Sequence, residues 1–232
     1  MSYYKHRIKN TTREPAGFST TTWLIIINSV VSIIAFILFA VSENYLDYLA
    51  LKPENILQGK YLWTLVTHMF VHGGFLHLFI NMFVLFSLGS LCERIIGKKR
   101  FIWFYLLSGL FAGILSVLLS GLLGNTELGT RIFGSPDIFM VGASGAIFAI
   151  AGLYVILLPK LKFMIIFLPF FSLPAYIMIP LVLFIVWIIS IIGNFPIGNV
   201  AHFGGFLAGV VYGLYLRTKY QRKVAKLQRM FR

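Results

Sequence analysis

The sequence predicts an all-α, polytopic membrane protein built as a bundle of six transmembrane helices. The first reason is composition: of the 232 residues, 59% are hydrophobic and only 12% are charged, about half the charged fraction of a soluble domain. The second reason is that the apolar residues fall in long runs. About 20 consecutive apolar residues cross the roughly 30 Å hydrocarbon core of a membrane as a helix, and several runs reach that length.

The predicted spans are 22–42, 63–92, 101–123, 140–158, 174–192 and 199–217. The first run, from Trp23 to Val41, is too long for a signal-peptide core and is not followed by a small-residue cleavage site, so we expect a retained helix. The second span begins near Trp63 with a histidine-rich stretch and is fully apolar only from Phe75. Residues 163–173 are apolar but broken by prolines, and are either the start of the fifth helix or an interfacial loop.

The basic residues predict the orientation of the bundle. Seventeen of the 20 Lys and Arg residues lie on the side that holds both tails, and only Lys52, Lys60 and Arg131 lie on the other. Because cytoplasmic loops carry the excess of Lys and Arg, both termini are predicted to be cytoplasmic. The predicted organisation is a basic tail (1–21), a six-helix domain (22–217) and a second basic tail (218–232).

The net charge of +13 does not indicate a nucleic-acid partner, because no basic stripe is interleaved with aromatic residues. In the C-terminal tail, Tyr220, Val224, Leu227 and Phe231 recur at helical spacing among basic residues. This pattern fits an amphipathic helix on the anionic inner leaflet, and equally an ordinary basic tail with some helicity.

Strongly polar residues inside a membrane are costly and mark functional sites. His77 and Asn81 lie four residues apart in the second span, Ser144 begins the fourth and His202 begins the sixth. At about 1.5 Å per residue from the basic cytoplasmic edge, all four lie roughly 20–25 Å up. The sequence therefore predicts one polar layer below the outer surface, contributed by three helices.

Glycines indicate how these helices meet. Gly142 and Gly145 flank Ser144, while Gly205 and Gly209 follow His202, and small residues let helices approach closely in lipid. Close approach would give Ser144 a histidine base, the minimum for a serine nucleophile. The Ser144 amide, His77 and Asn81 are the candidate oxyanion donors. Because no acidic residue lies at this depth, the prediction is a Ser-His dyad.

Each residue taken alone has a simpler interpretation. The glycines fit plain helix packing, and His202 fits a buried histidine bonded to a carbonyl. His68 and His72 have metal-ligand spacing, but no third acidic ligand or His-Glu-x-x-His motif accompanies them, so we expect no metal and no cofactor. A small transporter would use the histidine layer as an ion path, but the sequence shows neither paired intramembrane acids nor inverted repeats.

From about Trp63 to Gly209 the chain resembles the rhomboid family of intramembrane serine proteases. The motifs that carry the resemblance are Trp63, His72-x4-His77-x3-Asn81, Gly89-x3-Glu93-x3-Gly97, Gly142-Ala143-Ser144-Gly145 and Ala201-His202-x2-Gly205-x3-Gly209. The resemblance implies that Ser144 attacks a peptide bond, that His202 acts as base and then acid, and that His77, Asn81 and the Ser144 amide form the oxyanion hole. It also implies supporting roles for His72, Glu93 and the motif glycines.

Two positions depart from the family pattern. Thr64 stands where many rhomboids have an arginine, and Phe148 stands where some have a tyrosine that stacks on the histidine. The resemblance further implies a half-embedded first loop over residues 42–62 and a gate over 174–199. The sequence itself predicts a flexible hinge at 193–196.

The implied substrates are transmembrane segments of other proteins, cleaved near their outer end, and the implied location is a prokaryotic plasma membrane. The alternative is a catalytically inactive rhomboid-like protein that binds membrane clients. Such relatives lack the serine or the histidine, and both are present here.

Overall fold

The long apolar runs form the long helices of the structure, a computed structural model that describes residues 17–165, 168–193, 195 and 197–231. Within these residues, five helices are long and apolar enough to cross a membrane, which makes the chain a multi-pass membrane protein. They are α1 (Thr20–Val41), α5 with α6 (Phe75–Ile96), α7 (Lys98–Leu123), α10 (Ala175–Gly193) and α11 (Asn199–Lys219). The four basic residues of the N-terminal tail, and positions 194 and 196 of the expected hinge, lie outside the described residues.

The fourth helix, α9 (Ser144–Leu157), has only 14 residues, about 21 Å at 1.5 Å per residue. It is shorter than the expected span of 140–158, because residues 140–143 are not helical. Met140 pairs with Leu51 in an isolated β-bridge, and the Gly142 amide donates to the His68 carbonyl at 2.9 Å. Irregular backbone is tolerated inside a membrane where the protein itself satisfies its polar groups.

The expectation that the second span starts at residue 63 is wrong. Residues from 64 form a short helix, α4 (Thr64–Thr67), and a 3-10 turn (His68–Phe70), and the membrane helix begins only at Phe75. A π-helical turn (Leu85–Gly89) joins α5 (Phe75–Val84) to α6 (Ser90–Ile96). Such turns interrupt the regular pairing of helix carbonyls, and here the Tyr154 hydroxyl donates to the Leu88 carbonyl.

The connecting segments are short elements. The first loop contains α2 (Tyr45–Leu49) and α3 (Pro53–Leu57), and α8 (Glu127–Phe133) follows α7. The Trp63 indole donates to the Tyr48 carbonyl at 2.9 Å, which ties α2 to the start of α4. The segment for which a helix start or a loop was expected forms two antiparallel strands instead, β1 (Lys162–Ile165) and β2 (Leu168–Pro174).

Helix α9 is the centre of the bundle and packs most closely against α11. A Cβ atom on Gly205 would overlap the carbonyl oxygen of Gly145, and one on Gly209 would overlap that of Ala149. Because glycine has no Cβ, the two backbones touch directly, the close approach that small residues allow in membrane helices. This crossing brings the first turns of α9 and α11 together.

Glu93 joins the second membrane helix to the first. Its carboxylate accepts hydrogen bonds from the Thr20 and Thr21 amides, both at 2.8 Å, and from the Thr21 hydroxyl at 2.7 Å. These amides are free donors at the start of α1, where the helix dipole also favours a negative charge. Glu93 therefore acts as a cap supplied from another helix.

The C-terminal tail contains α12 (Gln221–Met230). Val224 is buried, and Leu227 and Phe231 pack against the main hydrophobic core of the bundle. The apolar face of the tail is thus covered by the protein, and its basic residues Arg222, Lys223, Lys226 and Arg229 are exposed.

Candidate active site

Ser144 and His202 form a direct hydrogen bond. Ser144 is the first residue of α9 and His202 lies in the first turn of α11, and the serine Oγ is 2.8 Å from the histidine Nε2. When the hydroxyl donates, Nε2 is the acceptor and the ring proton of the neutral imidazole lies on Nδ1. This is the arrangement in which histidine removes the serine proton.

Apart from the bond to Ser144, the His202 ring is held in place by packing. Nδ1 is buried and has no hydrogen-bond partner within the described part of the chain. The Phe148 ring lies against the imidazole, with ring centroids 4.6 Å apart and an interplanar angle of 33°. An aromatic ring in contact fixes the orientation of the imidazole, a task that a hydrogen-bonded carboxylate performs in a catalytic triad.

The backbone before Ser144 is supported by a chain of hydrogen bonds. The Ala143 amide donates to His72 Nε2 at 3.4 Å, and His72 Nδ1 lies 2.8 Å from Ser32 Oγ, which in turn donates to the Phe70 carbonyl at 3.1 Å. Each donor meets one acceptor when the His72 proton is on Nδ1. His72 therefore connects α1 to the loop that carries the serine.

Gly142 adopts a backbone conformation that favours glycine, with φ of 127°. A Cβ atom at this position would also collide with the His77 ring. Glycine is the residue for which such a φ carries no steric cost. Two structural features therefore account for the glycines of the Gly-Ala-Ser-Gly motif: the turn at Gly142 and the helix crossing at Gly145.

The candidate oxyanion donors come from α5 and from the start of α9. The Gly73 amide donates to His77 Nδ1 at 3.5 Å, which leaves the ring proton on Nε2, the nitrogen nearest Gly142. The Asn81 amide donates one N–H to the His77 carbonyl at 2.9 Å and keeps a second N–H. The first intrahelical bond of α9 runs from Ile147 to Ala143, so the Ser144 amide precedes the helix ladder.

These groups line one cavity of about 1280 Å³, together with α10 residues Met178, Ile179, Val182 and Val186. His77, Asn81, Ser144 and His202, which the sequence placed in one layer, share this cavity. His68 borders it as well, but its Nδ1 bonds to the Thr64 carbonyl at 2.8 Å. The described residues contain no group of three His, Cys, Asp or Glu side chains that would hold a metal.

The family model of the Rhomboid domain matches residues 59–219. This chain belongs to the rhomboid family. It is 35% identical to RHOMBOID-like protein 5 of Arabidopsis thaliana over 74% of this chain and 50% of the relative. It is 27% identical to rhomboid protease GlpG of Haemophilus influenzae over 74% of this chain and 78% of the relative.

A third relative is the putative rhomboid protease YdcA of Bacillus subtilis, 37% identical over 43% of each chain. The chain therefore spans about half the length of some curated relatives that it matches. Named relatives include proteases, which supports a hydrolase of the rhomboid type. The two positions at which this rhomboid departs from the family pattern both make defined contacts. Thr64 is buried and its hydroxyl donates to the Tyr61 carbonyl at 2.8 Å, and the Phe148 ring lies against His202.

Sequence reasoning missed several supporting residues of this rhomboid. Ser32 lies in α1, far along the chain from His72, and Thr20 and Thr21 were not recognised as partners of Glu93. The only signal for Ser32 was a polar residue four positions after Asn28 on an otherwise apolar helix. The hydrogen bond between Ser190 and Asn199, 2.8 Å long and joining α10 to α11, was missed because neither residue belongs to a motif.

Proposed function

We propose that this rhomboid is an intramembrane serine endopeptidase that cleaves transmembrane segments of other proteins. The observation that carries the proposal is the 2.8 Å hydrogen bond between Ser144 Oγ and His202 Nε2 inside a bundle of apolar helices. Serine is unreactive until a base removes its proton, and in this part-buried pair the His202 ring nitrogen is placed to be that base. Both residues being present disfavours the inactive client-binding protein.

The mechanism follows from the positions of the protons. Ser144 Oγ attacks the carbonyl carbon of the scissile peptide while its proton passes to His202 Nε2. The imidazolium then donates that proton to the leaving nitrogen as the C–N bond breaks, which leaves an acyl-serine. Water repeats the sequence: it gives a proton to His202, attacks the ester carbon and releases Ser144 with the proton returned to Oγ.

The negative oxygen of each tetrahedral intermediate would be held by three donors. These are the Ser144 amide at the start of α9, His77 Nε2–H and the free N–H of Asn81. The dipole of α9 adds a positive potential at the same point. Donors of this kind are worth about 3–4 kcal/mol each in acyl-transfer enzymes, so the dyad depends on them for most of its rate.

The membrane arrangement that supports this function has six helices and both termini in the cytoplasm. In it, α9 crosses as the fourth helix and, with the five longer ones, brings the number of membrane helices to six. Since α9 covers about 21 Å of a core of roughly 30 Å, its first residue lies beneath the outer surface. The cavity wall formed by α10 is the side from which a substrate helix reaches Ser144, and cleavage falls near the outer end of that helix.

The basic tail adds a general attraction to the anionic inner leaflet, of about 1 kcal/mol per Lys or Arg near the surface. We propose the domain limits that the sequence predicts: a bundle of residues 22–217 between cytoplasmic tails at 1–21 and 218–232. A prokaryotic plasma membrane is the proposed location.

The deciding experiment compares wild type with Ser144→Ala on a single-span model substrate in detergent, with the cut mapped by mass spectrometry. Wild type is expected to cleave near the outer end of the substrate helix, and Ser144→Ala to lose the activity. The control is Ser87→Ala, since Ser87 is exposed and its hydroxyl donates to the Phe83 carbonyl of its own helix segment. Cleavage that persists in Ser144→Ala would reject the assigned nucleophile.

A second readout separates the enzyme from the client-binding alternative. Wild type should react covalently with a serine-directed fluorophosphonate, and His202→Ala should not. If wild type neither labels nor cleaves any of several substrates, the chain is the inactive binder.

A further inference from the structure

A second concave site lies outside the catalytic cavity, between α7 and α11. It is a groove of about 370 Å³, within the size range of small-ligand sites. On α7 its wall is formed at one-turn intervals by Arg100, Phe104 and Leu107, and on α11 by Ala208 and Tyr212. Ala208 has the smallest side chain of the lining and lies further than Tyr212 from the basic end of α11.

The groove runs from a basic mouth to an apolar floor. Lys99 and Arg100 stand at the mouth in the first turn of α7, and Trp103, Phe104 and Leu107 follow along the same face. At 1.5 Å per residue the groove is about 12 Å long. Ser108 lies at its end, but its hydroxyl donates to the Phe104 carbonyl, so the floor presents no unpaired donor from this residue.

Three cations from three helices gather around one ring beside this mouth. Arg100 of α7, Lys219 of α11 and Lys223 of α12 lie 5.4, 5.8 and 5.6 Å from the centre of the Tyr220 ring. Arg100 also donates to the Tyr220 hydroxyl at 3.2 Å. The three cations thus share one ring as a neighbour, and their summed positive charge attracts an anion to this part of the surface.

The described part of the chain does not supply that anion. None of the three cations forms an ion pair with a carboxylate there. Glu93 is the acidic residue that the structure describes on the basic side of the bundle. It is bonded to Thr20 and Thr21 at the start of α1. No carboxylate among the described residues therefore neutralises these three cations.

We propose that this groove binds one anionic phospholipid of the leaflet facing the basic side of the bundle. The phosphate lies between Arg100, Lys219 and Lys223, and an acyl chain lies along Phe104 and Leu107 as far as Ala208. Arginine and lysine are the side chains that bind phosphate in this way. The combination of a triple cation with an apolar groove that opens to lipid selects a phospholipid over a soluble anion. The site is separate from the Ser144 cavity, and the inference does not depend on proteolysis.

The test is titration of the purified full chain in detergent with phosphatidylglycerol, read by native mass spectrometry and by the unfolding temperature. Phosphatidylcholine with the same acyl chains tests the headgroup, and inorganic phosphate tests the soluble anion. The variant Arg100→Gln/Lys219→Gln/Lys223→Gln is expected to bind on the order of 100-fold more weakly, roughly five-fold for each cation removed. The single variant Lys223→Gln, at an exposed position, is expected to lose roughly five-fold.

Two matched variants complete the test. Arg94→Gln/Lys160→Gln/Lys162→Gln removes the same charge from exposed positions elsewhere on the basic side, and is expected to leave tight binding unchanged. Ala208→Leu fills the deep end of the groove and is expected to weaken phosphatidylglycerol binding at least ten-fold, while Val211→Leu on the lipid-facing side of α11 does not.

Three results would overturn the proposal. Equal losses in the two triple variants would mean diffuse attraction to basic side chains. Equal binding of phosphatidylcholine would mean that the phosphate site does not choose an anionic lipid. Stabilisation by inorganic phosphate that matches phosphatidylglycerol and is insensitive to Ala208→Leu would mean a soluble anion.

Discussion

Replacing Gly205 with alanine tests how strongly the site depends on the α9–α11 crossing. The added Cβ would overlap the carbonyl oxygen of Gly145, one residue after the serine. Relief of this overlap requires the two backbones to separate by roughly 1 Å, and overpacking of this kind costs about 1–3 kcal/mol. The same displacement would stretch the 2.8 Å bond between Ser144 and His202.

We expect Gly205→Ala to lower kcat/KM about 100-fold, the usual cost of a 1 Å misplacement of catalytic groups. Gly209→Ala creates the same kind of overlap, with Ala149, but one turn further from the dyad. It should therefore lose similar stability and much less activity. The assays are cleavage of the model substrate, the rate of fluorophosphonate labelling and the unfolding temperature in detergent.

The matched control is Val211→Ile, which adds one methyl group to α11 at a position that is 58% exposed. If Gly205→Ala behaves like Val211→Ile in both activity and stability, the site does not depend on the α9–α11 crossing. Equal activity losses in Gly205→Ala and Gly209→Ala would show that loss of folding, rather than separation of the dyad, is the cause.

Three further changes test the supports of the site. Ser32→Ala leaves the Nδ1 proton of His72 without its acceptor, so we expect about 1–3 kcal/mol less stability and a lower kcat, measured by thermal unfolding and steady-state cleavage. Glu93→Gln removes the charge that caps α1, and about 1–3 kcal/mol of stability should be lost with kcat nearly unchanged at low temperature. Phe148→Leu removes the ring against His202, and a contact worth about 0.5–1.5 kcal/mol predicts a two- to ten-fold lower kcat, whereas Phe148→Tyr should keep it.

The first two of these changes have a control at an exposed position. Ser87→Ala is matched to Ser32→Ala, and a fall in stability of the same size in both would deny a special role to the Ser32 bond. Glu43→Gln is matched to Glu93→Gln, because both variants remove one negative charge. For Phe148, a leucine variant with wild-type kcat would show that the dyad does not need the ring contact.

The sequence was sufficient to predict features that depend on local pattern. Except at the start of the second, long apolar runs placed the membrane helices to within a few residues, because crossing lipid requires length and composition above all. The residues Ser144, His202, His77 and Asn81 were singled out as candidates because polar groups in an apolar span stand out. The glycines beside them predicted a close helix crossing, and the structure has backbone contact at Gly145 and Gly205.

Other features depend on which helices become neighbours. The start of the second membrane helix at Phe75 and the short α9 follow from packing of residues 64–74 and 140–143 against other segments. The capping of α1 by Glu93 links residues more than 70 positions apart. No local periodicity encodes such a contact.

The composition of the sequence determined by itself that this chain folds as apolar helices carrying one polar layer, since lipid penalises every exposed polar group. Only the tertiary structure decided how that layer is held: Ser32 behind His72, Phe148 against His202, and Gly142 turned so that the His77 ring fits beside it. The physical reason is that these contacts form between side chains brought together by packing, and their geometry exists only once the helices have met.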